Sequence, residues 1–111
     1  MPIGTSIPHF RDLSPARRRL VALMQDLHFG RIERLEIPAG EPVFDPAPSA
    51  IREIKLGNAE PAPPRPNGDF QLKGQVIDLI RELDALGDGV VEAIEVRHGL
   101  PFRVLVNEVL G

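Results

Sequence analysis

The stretch Gly30-Arg31-Ile32-Glu33-Arg34-Leu35-Glu36-Ile37-Pro38-Ala39-Gly40-Glu41-Pro42-Val43 has a counterpart 59 residues later, Gly89-Val90-Val91-Glu92-Ala93-Ile94-Glu95-Val96-Arg97-His98-Gly99-Leu100-Pro101-Phe102. In both, apolar residues stand at positions 32, 35 and 37 or 91, 94 and 96, a spacing of three then two. A flat strand of period two does not give that spacing, and one extra residue early in each strand, a β-bulge, would restore the alternation. Gly40 and Gly99 supply the positive φ of a short hairpin bend. Pro42 and Pro101 then open the returning strand, where no ladder donor is needed.

The likeness extends backwards into a helix. Between 20–43 and 79–102, seven of 24 positions are identical, and six more exchange one apolar residue for another; ordinary residue frequencies give about one or two identities. Ser14-Pro15 reads as an N-cap followed by proline at the first helical position. Ala16, Leu20, Leu23, Met24 and Leu27 then recur at helical spacing, and the helix should end by Gly30. Asp69 is a second N-cap candidate, for a helix whose stripe Leu72, Val76, Leu79, Ile80, Leu83 and Leu86 stops at Gly87-Asp88-Gly89. Strands are expected at 31–37, 43–45 and 51–56 in the first half, and at 90–97 and 102–106 in the second.

The expected fold class is therefore α+β: two helix–strand–strand units at an offset of 59, related by a pseudo-twofold axis, the first with an added strand. One antiparallel sheet carries both helices on one face. Neither unit is large enough to bury its own apolar face.

Length and composition agree with a single domain over 1–111. The chain has 111 residues, 42% hydrophobic and 26% charged, close to an average globular protein. Within it we expect an N-terminal arm (1–13), a first half with a helix and about three strands (14–57), a linker (58–69) and a second half with a helix and two strands (70–111). The linker is read from composition: Ala59 to Gly68 holds four prolines in ten residues, which favours extended polyproline II. Pro61 to Pro64, with Arg65 beside them, form a Pro-x-x-Pro pattern, but a semi-rigid connector explains the segment with fewer assumptions.

Several function classes are disfavoured at this stage. Cys 0 leaves no disulfide, thiolate zinc site or thiol nucleophile, and fits a reducing cytoplasm, the expected location. No apolar run is long enough for a membrane span, and the first residues do not read as a signal peptide. With 13 basic and 16 acidic residues the net charge is −3, which does not draw the whole chain to nucleic acid. No phosphate-binding glycine loop, nucleophile elbow or His-Glu-x-x-His motif occurs. The hydroxyl side chains are Thr5, Ser6, Ser14 and Ser49, none at a telling spacing from a histidine.

Three groups remain as candidate sites. Arg11, Arg17, Arg18 and Arg19 crowd the first turns of a helix, where the dipole is already positive; an anion or phosphate would relieve them, and so would pairing with the acidic second half. Glu33, Glu36, Glu92 and Glu95 are equivalent in pairs and could gather into a metal or acid–base site, against the alternative of an ordinary solvated strand face beside Arg31, Arg34, Arg97 or Arg103. His98 stands in the turn beside Gly99, far in sequence from His9 and His28. The reading that follows is a small non-catalytic binding or adaptor protein without a cofactor, acting on a protein partner, with a homodimer as one form. A nucleic-acid-associated regulator using the arginines is the alternative, and a metal-dependent enzyme using the glutamates the weaker one.

Overall fold

In the computed structural model, which describes residues 9–57 and 70–107, the first helix starts where its cap chemistry dictates. Ser14 is extended, its Oγ accepts the Arg17 N–H at 3.2 Å, and Pro15 is the first residue of α1, Pro15–Leu27. The second helix, α2, spans Gly74–Leu86 with Lys73 at its N-cap and no side-chain cap bond. Asp69, the expected cap, lies outside the described residues, as do Thr5, Ser6 and the proline segment 58–69. Leu72 precedes the helix but is buried with its stripe.

Both helices end in the same way. His28 (φ 66°) and Gly87 (φ 69°), 59 positions apart, leave the helix with positive φ, and their N–H groups donate back to Met24 O (3.0 Å) and Leu83 O (3.2 Å). A strand follows each: β1, Gly30–Ile37, and β3, Gly89–Arg97. Two further strands complete the sheet, β2 at Ser49–Arg52 and β4 at Leu100–Val106, in the order β2-β1-β3-β4 with every pairing antiparallel.

The first half departs from expectation in its strands. At 43–45 there is one bridge, Val43 to Glu36, because Pro42, Pro46 and Pro48 leave too few donors for a ladder. The strand expected at 51–56 is shifted to Ser49–Arg52; Ile54 and Leu56 run past the sheet and are 69% and 87% exposed.

The irregular spacing of three then two is accommodated differently in the two strands. In β3 the register against β4 shifts between Val91 and Ala93, as a bulge does. In β1 the register with β3 runs unbroken from Glu33↔Ala93 to Leu35↔Val91, and Arg34 resets the phase with φ 59°. The last β1–β2 pair is Glu33↔Ser49, so beyond it β1 has no ladder on that side to bulge against.

One core results. Leu20, Val21, Met24 and Leu27 of α1 and Val76, Leu79 and Leu83 of α2 pack with Ile32, Leu35, Ile37, Val91, Ile94 and Val96, all 3% exposed or less. Both helices thus cover the same face of the sheet. Each such side chain contributes roughly 1.5–3 kcal/mol on burial, before chain entropy is counted.

The hairpin bends close onto the helix ends. Gly40 N–H donates to Gly87 O (2.5 Å), and Gly99 N–H donates to His28 O (2.9 Å). Gly40 and Gly99 have φ of 76° and 75°, and a Cβ on Gly99 would lie 3.3 Å from Gln25 Cα. Gly99→Ala is expected to destabilise the protein by about 1–3 kcal/mol. Gly74→Ala, where an added Cβ meets nothing within 4 Å, should be neutral or stabilising by up to about 1 kcal/mol. Urea denaturation of the two variants checks both signs.

Candidate functional site

The sheet has a second face, and its residues follow from the register. Cross-strand partners share a face, so the side opposite the helices is built in rows. Ile51, Arg31, Glu95 and Arg103 form one row, and Ser49, Glu33, Ala93 and Leu105 the next. Glu36 and Val90 pair beyond them, and Arg97 stands at the opposite end. Ile51, Val90, Phe102 and Leu105 are 40–46% exposed. Among the described residues no helix covers this face.

The charges are ordered along the strands. Arg97, Arg31 and Arg103 lie towards the end formed by the β3–β4 turn, with Glu95 between them; Glu33 and Glu36 lie towards the other end. Arg31 Nε contacts Glu33 Oε2 at 2.9 Å, and Arg103 Nε stands 3.6 Å from Glu95 Oε1. Phe102 lies under two guanidinium groups, Arg97 at 4.1 Å and Arg103 at 5.4 Å from the ring centre. At the arginine end a depression of about 550 Å³ is lined by Phe29, Arg31, Ile51, Glu53, Arg97 and His98 among others.

His98 meets a neighbour that sequence distance concealed. Its ring lies 6.0 Å from His28 and 4.8 Å from Phe29, both edge-on, at the end of α1. The Gly99–His28 hydrogen bond sets this approach. Among the described residues no group of three His, Cys, Asp or Glu gathers in a way that could hold a metal ion.

No family model, curated protein or solved structure matches this chain.

The arginines of the first helix make different contacts. Arg17 is largely buried, its side chain 14% exposed, with Nη2 donating to Gly40 O (2.9 Å) and Asp84 Oδ1 (2.5 Å). Its Nε lies 3.3 Å from Glu41 Oε2 without the alignment of a hydrogen bond, and Glu41 in turn accepts from Ser14 Oγ. Arg18 Nη1 donates to Arg11 O at 3.3 Å, and Arg19 lies over the Phe44 ring at 4.4 Å. Arg17 thus follows the internal pairing weighed against the phosphate grip. The glutamates are spread as well: Glu33 and Glu95 face arginines, Glu92 accepts from Asn107 Nδ2 at 3.4 Å, and Glu36 pairs with Val90.

What sequence reasoning did not single out is the apolar part of the outer face. The signal was present in the alternation. Val90-Val91 and Val104-Leu105-Val106 are consecutive apolar residues, so one member of each such group must point away from the core.

Arg17→Ala should lower stability by about 1–3 kcal/mol, because it leaves the Gly40 carbonyl and the Asp84 carboxylate without their donor and Glu41 without its countercharge. Water screens the half-exposed acids and holds the loss within that range. Arg18→Ala and Arg19→Ala should each cost less than about 1 kcal/mol. Denaturant midpoints of the three variants test the order.

Proposed function

We propose that this chain is a small non-catalytic binding module that docks a protein partner on the open face of its sheet. The observation that carries the reading is the outer face itself, where Ile51, Val90, Phe102 and Leu105 are 40–46% exposed although both helices could have covered only one side. Scattered exposed apolar residues are ordinary; four on one sheet face, with arginines stacked on the aromatic one, form a patch of the kind that marks interaction surfaces.

The scaffold is read as two helix–strand–strand halves about a pseudo-twofold axis. Support comes from the offset: α1 and α2 have 13 residues each and begin 59 apart, and the helix-ending and hairpin positive-φ residues 28, 39 and 40 match 87, 98 and 99. The β1–β3 register also exchanges under that shift, since Gly30↔Val96 maps onto Ile37↔Gly89 and Ile32↔Ile94 onto Leu35↔Val91.

A photoreactive phenylalanine analogue placed at Leu105, compared with the same analogue at the exposed α2 residue Glu82, tests the docking face. In an extract of the native host, the Leu105 probe should give a discrete adduct that excess unlabelled protein suppresses and Phe102→Asp abolishes. Equal labelling from both positions, or adducts indifferent to Phe102→Asp, would refute the proposal.

A further inference from the structure

We infer that the partner on this face is a second copy of the chain, packed sheet to sheet with strand ends reversed. The inference rests on the docking role proposed above and commits it to one occupant. Two identical sheets that meet face to face are related by a twofold axis lying between them. If that axis runs across the strands, each copy's arginine end falls over the other's glutamate end. The face is built for this arrangement: Arg97 and the row of Arg31 and Arg103 lie on one side of its middle, and Glu33 and Glu36 on the other.

The same operation keeps each strand over its equivalent and reverses its direction. Arg31, in the row of Ile51 and Glu95, then meets Glu33 of the second copy, and Glu33 meets that copy's Arg31. An axis along the strands would instead stack arginine end on arginine end, which like-charge repulsion disfavours. Within each chain Arg31 and Glu33 are already 2.9 Å apart, so the assembled face closes a four-member ring of alternating charge. The same operation lays Ile51 on Ser49, Ala93 on Glu95 and Leu105 on Arg103 of the second copy, so that the exposed leucine meets the aliphatic stem of an arginine.

Size sets the expected strength. Four strands about 4.8 Å apart and about seven residues long at about 3.3 Å per residue give a footprint of roughly 19 by 23 Å. Two such faces bury roughly 900 Å², just under the size of about 1,000 Å² that specific interfaces usually exceed, so the dimer should be weak and concentration-dependent. Its charged rows should also make it sensitive to salt.

Sedimentation equilibrium of the full chain provides the test, with two charge reversals. The wild type should pass from 12.2 kDa to twice that mass as concentration rises, and more salt should weaken the association. Arg31→Glu alone places four carboxylates at the contact and Glu33→Arg alone four guanidinium groups, so each variant should dimerise at least about tenfold more weakly. An equimolar mixture of the two should recover association, because every cross-chain meeting is then Glu with Arg. Circular dichroism confirms that both variants are folded.

A wild type that stays monomeric to about 1 mM overturns the inference. So does a dimer indifferent to both reversals, or a mixture no better than its components. The Leu105 adduct separates these failures from failure of the docking face. A monomer whose probe captures a different protein in a Phe102-dependent manner removes the second copy and keeps the surface; a monomer with no adduct removes both.

Discussion

Two hydrogen bonds cross between the halves of this chain and set how they meet. A helix that ends on a left-handed residue leaves carbonyls pointing into space. Here the carbonyl of the residue that ends each helix is taken by the hairpin glycine of the other half, His28 O by Gly99 N–H and Gly87 O by Gly40 N–H. Each bond alone is worth about 1 kcal/mol. Their geometric effect is larger, because they hold both hairpins against the last helical turns and so fix β1 beside β3 in one register. Arg17 strengthens one of the two junctions, bonding the Gly40 carbonyl and reaching Asp84 of α2.

From those junctions the core follows with little freedom. Once β1 and β3 are paired from Gly30↔Val96 to Ile37↔Gly89, their inward residues form one continuous apolar surface that both helix stripes cover. Among the described residues both helices lie on one side of the sheet and none on the other. The edges are handled unequally. β4 pairs along most of β3, whereas β2 covers only the first four residues of β1, and prolines interrupt the chain between the Val43 bridge and Ser49.

Much of this was legible in the residues. Helix α1 announces itself through Ser14-Pro15 and the spacing of Leu20, Leu23, Met24 and Leu27, because a cap and a periodic stripe are local properties. The spacing of Ile32, Leu35 and Ile37 announced a break in strand phase. It could not say that β1 would use a left-handed Arg34 and β3 a bulge, since that depends on which strand has an outer neighbour at that point. Strand limits near 43–56 were illegible for a similar reason: Ile54 and Leu56 look like strand residues, and only the end of the sheet leaves them exposed. The approach of His98 to His28 and Phe29 is a product of the crossing hydrogen bonds, and no spacing rule reaches across 70 residues. The arginines illustrate the opposite limit. Their crowding was visible, but their different contacts, a partly buried guanidinium paired with exposed acids, a backbone bond and a ring contact, depend on three different neighbours.

On the two-half reading, the positions the halves share and those they do not share have different work. Leu20/Leu79, Leu27/Leu86, Leu35/Ile94, Ile37/Val96 and Gly40/Gly99 match, and all serve the core or the junctions. Among the positions outside the core Glu33/Glu92 and Glu36/Glu95 are also identical, but others differ: Arg31 stands against Val90, Pro38 against Arg97, and Val43 against Phe102. Two equal halves about an axis through the sheet would carry the same charge at both strand ends and present a face with no polarity. Placing Arg31 and Arg97 at one end, with Val90 and Pro38 at the equivalent places of the other, breaks that equality without touching a buried residue. The sheet can therefore keep an internally repeated core and still offer a directional surface, and direction is what a face needs if a copy of itself is to dock in one orientation and not two.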